Sequence, residues 1–213
     1  LSNYITALGY ESEDDSLFKK YWPANCQMIG KDILKFHSIY WIGLLLALGV
    51  ELPGTIFAHG WITIDEKKMS KSLGNVISHK SILEQYHLDS PDALRYFLMT
   101  TTSFGRDGNY RDEDFKSKVN ADLANNTGNL LNRSLSMLIK YFDGEIKQEF
   151  VNDDAKELVE AALNAKKKVV ENFDSYMITE AIEEVISLVN LTNKYVNETA
   201  PWSLAKDENT LID

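Results

Sequence analysis

A chain of 213 residues with 44% hydrophobic and 25% charged side chains has the balance of a globular protein holding one or two cores. Its net charge of −10 argues against a basic shell that coats nucleic acid, and four His with a single Cys, Cys26, exclude a zinc knuckle, an iron–sulfur site and a disulfide scaffold. The longest apolar stretch, Tyr40 to Val50, is too short to span a bilayer and no basic-then-apolar leader precedes it, so a cytoplasmic location away from membranes is expected.

The sequence opens and closes in mid-pattern, at Leu1-Ser2-Asn3-Tyr4 and Leu211-Ile212-Asp213, and a piece of a longer polypeptide is expected. In chain order, Gln27-Met28-Ile29 reads as a short strand ending at Gly30. Apolar positions recur at Ile33, Phe36, Ile39/Tyr40, Gly43/Leu44 and Ala47/Leu48, a helical period that stops at Gly49. Residues 55–58 and 61–64 read as further strands, with Asp65-Glu66 a turn. Two strands flanking a helix predict a βαβ unit with a parallel pair.

Beyond Ser78 the sequence reads as helical. Ser90-Pro91-Asp92 starts a short buried helix, and residues 103–109, with two Gly, form a loop. Asp112 is expected to cap a long helix with an apolar stripe of Phe115, Val119, Leu123, Leu130/Leu131, Leu135 and Leu138/Ile139, ended by Asp143-Gly144. One helix starting at Asp153 and another with Ile178, Ile182, Val185/Ile186, Val189 and Val196 on its face complete a bundle. The expected fold is α/β over 1–110, followed by an all-α helix bundle over 111–213. Net charge is −2 over 1–60, zero over 61–120 and −8 over 121–213, so the bundle carries most of the acidic excess.

The densest chemistry lies at Lys67-Lys68-Met69-Ser70-Lys71-Ser72-Leu73-Gly74-Asn75. Closely spaced ammonium groups require water or an anionic partner, and hydroxyls with Gly let a loop fold around phosphate oxygens. The competing reading is a solvated surface loop. Neither a P-loop nor a G-x-G-x-x-G fingerprint is present. Gly30 and Asp32, where strand meets helix, suit close ligand approach and acceptance from ribose hydroxyls, or else a tight turn and a helix cap. Asn125, Asn129 and Arg133 recur every fourth residue, forming a polar face that can read base edges and hold a phosphate, or make interhelical bonds. Trp202 can stack a splayed base or seal the bundle. Four N-x-[ST] triplets, at Asn125, Asn132, Asn190 and Asn197, fall within expected helices and are given no glycosylation role.

Lys68-Met69-Ser70-Lys71-Ser72 matches the KMSKS signature of class I aminoacyl-tRNA synthetases, a loop shared by several amino acid specificities. The stretch from Asn3 to Tyr10, Ile29-Gly30-Lys31-Asp32-Ile33 with His37, Phe57-Ala58-His59-Gly60-Trp61, the run from Asn125 to Arg133, and Glu198 to Trp202 narrow this. Together they resemble the bacterial-type methionyl-tRNA synthetases, in the family's order through essentially the whole chain. Nothing matches the family's HIGH-type signature or connective insertion.

The resemblance implies a partial Rossmann-like catalytic half with the anticodon-binding bundle, in a cytoplasmic ligase that joins methionine to tRNA(Met). ATP, with Mg2+, is the implied co-substrate, and no metal site is expected within this stretch. Tyr4, Ile33 and His37 are implied to line the methionine side-chain cavity. Gly30, Asp32, His59, Gly60, Trp61, Ile62 and Lys71 are implied to face ATP, with Lys71 as the catalytic lysine and Lys68 assisting. Asn125, Asn129, Arg133 and Trp202 are implied to meet the CAU anticodon. A missing N-terminal half is the implied partner, without which the piece is expected to be inactive. Two other classes stay open: a helical RNA-binding or structural module without turnover, and a generic ATP-using α/β enzyme.

Overall fold

The computed structural model describes residues 1–69, 74, 76–102, 105–146 and 155–205. Its contacts divide the chain into two compact units, Leu1–Thr63 with Phe104–Gly108, and Ile64–Ser103 with Asn109–Asp213. Ser70, Lys71 and Ser72 of the KMSKS signature, and the helix start expected at Asp153, lie outside the described residues.

The first unit begins with short helices α1 (Asn3–Thr6) and α2 (Ser16–Tyr21), followed by β1 (Cys26–Gly30). A tight turn, Lys31–Ile33, enters a helix whose middle, Phe36–Trp41, widens to π geometry before α3 (Ile42–Leu48). Gly49 ends α3 in the left-handed conformation (φ 67°). Its N–H donates to the Leu46 carbonyl at 3.2 Å and the Val50 N–H to the Leu45 carbonyl at 3.0 Å, the Schellman pairing that glycine permits. The chain then returns through β2 (Thr55–His59), which pairs parallel with β1 from Cys26 opposite Thr55 to Gly30 opposite His59. The expected parallel pair is therefore present. His37, Trp41 and Leu45, four residues apart, form the buried stripe of the helix, and Trp41 and Leu45 have no exposed surface. Ile5 and Val50 complete this core, with Tyr10, Phe18 and Trp22 packed against it.

Strand β3 (Ile62–Ile64) turns through Asp65 and Glu66 into β4 (Lys67–Lys68). Both turn residues have positive φ, 47° and 64°, the backbone demanded by a two-residue hairpin whose twist matches its strands. Helices α4 (His79–Gln85) and α5 (Asp92–Thr101) follow. Pro91, expected at the first helical position, is itself the cap residue, and Ser90 Oγ, one residue before that cap, accepts the Asp92 N–H at 3.2 Å.

Three expectations are corrected. The loop placed at 103–109 ends earlier than expected: residues 105–107 keep loop geometry, while Gly108 and Asn109 belong to a strand, β5 (Gly108–Tyr110), in a sheet of order β4-β3-β5. The Thr63 hydroxyl donates to the Gly108 carbonyl at 2.9 Å, and the Gly108 N–H donates to Trp61 at 2.8 Å. Asp112 is not a cap: it opens α6 (Asp112–Lys118), and its carboxylate accepts from the Tyr110 hydroxyl at 2.8 Å. The long helix continues as a π segment, Val119–Gly128, into α7 (Asn129–Phe142). There Leu131, Leu135 and Ile139 are exposed rather than packed, at 60%, 47% and 64%. Arg133 faces the last long helix, and Leu131 sits about 200° round the helix from it.

In the second unit Phe97 of α5 makes edge-on ring contacts with Tyr110 and Phe115, and all three are buried. Helices α8 (Lys156–Asp174) and α9 (Ile178–Thr199) form a helical hairpin, with a Lys168–Glu184 ion pair between them at 3.0 Å. The Thr179 hydroxyl at the start of α9 donates to the Met99 carbonyl at 2.8 Å, tying α9 to α5. Ala200 then takes the left-handed conformation (φ 43°), turning the chain sharply into α10 (Pro201–Leu204). The architecture is thus an α/β region followed by an all-α bundle, as the periodicity predicts.

Candidate functional site

In the first unit, α1 and the π-widened helix bring Tyr4 to His37, 33 residues away, with Tyr4 Oη and His37 Nε2 3.0 Å apart. His37 Nδ1 lies 3.1 Å from the Ile33 carbonyl. A carbonyl only accepts, so Nδ1 carries the proton, and in the neutral ring Nε2 accepts from the Tyr4 hydroxyl. His37 is 3% exposed, whereas Tyr4 and Ile33 are 38% and 39% exposed. The Tyr4 ring also lies 5.7 Å from the Trp41 ring, and the Trp41 indole N–H donates to Gln27 Oε1 at 3.1 Å. Tyr4, Ile33 and His37 therefore converge. The π segment lies at this cluster, where the extra residue of an i→i+5 turn reshapes one helix face.

The second cluster sits at the carboxyl ends of the parallel strands, where α/β sheets open a crevice. Gly30 and His59 are opposite each other, and a Cβ on Gly30 would stand 2.7 Å from Asp32 Oδ1. His59 Nδ1 lies 2.8 Å from the Gly60 carbonyl, so by the same reasoning it is the protonated nitrogen. Gly60 is buried, and a side chain there would collide with the Arg106 carbonyl. The Trp61 N–H donates to Asp107 Oδ1 at 2.9 Å. The Lys31 ammonium stands 2.6 Å from the same carboxylate and 4.4 Å from the Trp61 ring centre. The Lys31 hydrogen bond, followed by that from Trp61, holds the Asp107 carboxyl below its ordinary range. Ile62, half-buried, opens β3. Asp107 was not foreseen: 76 residues separate it from Lys31, and a loop Asp carries no spacing signal.

In the second unit, Lys68 ends the short strand β4, and Lys71 lies outside the described residues. Asn129 Nδ2 donates to the Asn125 carbonyl at 2.9 Å, so this pair shares one stretch of helix. Arg133 donates to Asn197 Oδ1 of α9 at 2.8 Å, and its guanidinium lies 5.3 Å from the Trp202 ring centre. The left-handed Ala200 brings Trp202 back to Arg133, and the Trp202 residue is 41% exposed. Arg133 and Trp202 are thus brought together, while the Asn129 amide is engaged with the Asn125 carbonyl. Asn126, which was not foreseen, bonds Asn190 at 2.7 Å and Asn193 at 2.8 Å, giving the π segment a polar seam with α9. Among the described residues no group of three or more His, Cys, Asp or Glu side chains converges as a metal site.

Residues 1–135 match the family described as tRNA synthetases class I (M). The chain is 51% identical over 210 residues to the methionine–tRNA ligase of Enterococcus faecalis, covering 98% of itself and 31% of that protein. It is 49% identical over 212 residues to the enzyme of Clostridium perfringens, covering 98% and 32%. Among solved structures, the Mycobacterium tuberculosis methionyl-tRNA synthetase bound by methionyl-adenylate superposes with a TM-score of 0.87 at 41% identity, covering 97% of this chain and 40% of that one. Its apo form gives 0.85 at 37% identity, covering 98% and 40%. The chain belongs to the class I tRNA synthetases (M). It spans about a third of the length of the curated relatives it matches.

Proposed function

We propose that the complete protein activates methionine with ATP as methionyl-adenylate and transfers it to tRNA(Met). In this reading 1–110 belongs to the catalytic domain and 111–213 to the anticodon-binding bundle. The observation that carries the methionine assignment is the chain of bonds from Tyr4 Oη through buried His37 to the Ile33 carbonyl, with the Ile33 residue 39% exposed. Each polar atom already has a partner, so an unbranched thioether meets shape, ring edges and weak contacts without stranding a donor. Gly30, Asp32, His59, Gly60, Trp61 and Ile62 form the adenosine wall, with a carboxylate suited to ribose hydroxyls. Arg133 and Trp202 offer a guanidinium beside a half-open indole, a pairing suited to stacking and phosphate contact. Asn125 and Asn129 extend that face toward the CAU anticodon.

In the reaction a methionine carboxylate oxygen attacks the α-phosphorus, the bond to the bridging oxygen breaks, and pyrophosphate leaves with the electron pair. Mg2+ accompanies the ATP phosphates as part of the substrate. Lys71 meets the charge that develops on those phosphates, with Lys68 assisting, so its contribution is greatest in the transition state. Lys71→Ala in the full-length enzyme is expected to slow adenylate formation on the order of 100-fold while methionine affinity holds. Pre-steady-state kinetics separates the two. Unchanged chemistry with weaker methionine binding contradicts the role.

A further inference from the structure

Beyond the residues assigned to substrate, one charged side chain joins two loops at the strand ends. β1 releases Lys31 after Gly30, and β2 releases Trp61 after His59 and Gly60. Asp107 reaches both. Its Oδ2 accepts from the Lys31 ammonium at 2.7 Å, and its Oδ1 accepts from the Trp61 N–H at 2.9 Å. Lys31 also stands over the Trp61 ring at 4.4 Å. The approach is built in by glycine: only a residue without Cβ at position 60 leaves room for the Arg106 carbonyl, and Gly105 takes φ +85°. Gly108 then donates to the Trp61 carbonyl at 2.8 Å. The loop from Gly105 to Gly108 thus fixes both amide groups flanking the Trp61 side chain.

We propose that Asp107, with Lys31, is a positioning pair that sets the spacing between the ribose-facing turn at Gly30–Asp32 and the adenine-facing strand entry at Trp61–Ile62, and so governs affinity for the adenosine half of ATP. The proposal rests on the adenosine reading given above. Side chains of Lys31 and Asp107 are 37% and 40% exposed, and exposed ion pairs contribute little to folding stability. Their effect is therefore geometric, carried by the Trp61 main chain.

The test uses the full-length enzyme and methionine-dependent ATP–pyrophosphate exchange. Asp107→Ala removes both bonds and is expected to raise the KM for ATP about tenfold, since small displacements at a binding wall are costly. The KM values for methionine and pyrophosphate and the melting temperature are expected to hold. Asp107→Asn keeps an acceptor for the Trp61 N–H and restores most of the affinity, while Lys31→Met in the Asp107→Ala background adds no further loss. If Asp107→Ala does not fold, Asp107→Asn and Lys31→Met carry the test, with intermediate rises in the KM for ATP expected. An unchanged KM for ATP in folded variants, or equal rises in all three KM values, overturns the proposal while the functional reading stands. A wild-type enzyme without methionine-dependent exchange overturns the functional reading and this proposal together.

Discussion

The hydrogen bond between Tyr4 and His37 joins an exposed ring to a buried one, so the two ends of the bond have different alternatives. Without Tyr4 Oη, water replaces little for His37 Nε2, because that residue is 3% exposed. Leaving a buried acceptor unpaired costs about 1–3 kcal/mol. Tyr4→Phe is therefore expected to lower the stability of the full-length enzyme and raise the KM for methionine, with the KM for ATP much less affected. Thermal unfolding and exchange kinetics on one preparation check this, and an unchanged methionine KM removes Tyr4 from the pocket. At the residue scale, Ile33 and His37 were legible as neighbours from their spacing, and the structure joins them through the Ile33 carbonyl. Tyr4 entered only through resemblance, since no local pattern links residues 33 apart. Asp107 was illegible for the same reason, its partners being distant in sequence and its loop ordinary in composition.

Among elements, the sharp turn at Ala200 does most to define the bundle's candidate RNA face. It follows α9, whose Asn197 is bonded to Arg133, and returns Trp202 to the same guanidinium. Stacking a base on an aromatic ring contributes about 1–3 kcal/mol. Trp202→Ala in the full-length enzyme should weaken binding of methionine-acceptor tRNA by a corresponding amount and leave tRNA-independent methionine activation near normal. Equal losses of melting temperature and both activities identify a core residue instead. The local pairing also reconciles an RNA face with a bundle of net −8, because binding needs a patch rather than a basic surface.

A second element-scale prediction concerns the junction of α5 with the π segment. The Tyr96 hydroxyl donates to Asp122 at 2.6 Å, and Lys118 stands 2.9 Å from the same carboxylate. Burial, then the bond and charge of Asp122, push the Tyr96 hydroxyl above its ordinary range. Burial also opposes ionisation of Asp122, but the bonds from Tyr96 and Lys118 outweigh it and hold that carboxyl low. The raised tyrosine favours the protonated form in the fold, so its contribution is full below the ordinary tyrosine pKa of about 10 and is lost as pH climbs through the folded value. Unfolding profiles above about pH 10 should fall less steeply for Tyr96→Phe than for wild type; parallel profiles exclude the linkage. The π segments themselves were not legible. Periodicity locates a helix through its apolar face, but an extra residue per turn leaves the neighbouring repeats intact. Strand β5 was missed because Gly108-Asn109-Tyr110 is too short to show alternation.

For the whole molecule, apolar helix faces stand open among the described residues. Phe36, Ile39, Tyr40 and Leu46 are 50%, 58%, 52% and 64% exposed, and Leu131, Leu135 and Ile139 form the stripe on α7. Leu131, Leu135 and Ile139 lie four residues apart and so share one face of α7, and the chain spans only about a third of its curated relatives. The order α/β region then helix bundle was legible because strand and helix periods differ and Gly49 and Asp143-Gly144 punctuate them. Which faces stay open was not, since a stripe in sequence does not name its partner.

The central claim is that this sequence carries the methionine and adenosine walls of a larger ligase. Methionine-dependent ATP–pyrophosphate exchange tests it most directly, run on the full-length enzyme with methionine, leucine, isoleucine, valine and cysteine, and on residues 1–213 alone. The account predicts saturable exchange by the full-length enzyme with methionine, far weaker exchange with the other four, and none from residues 1–213. Exchange that prefers another of these amino acids contradicts the methionine pocket, and robust turnover by residues 1–213 alone contradicts the divided site.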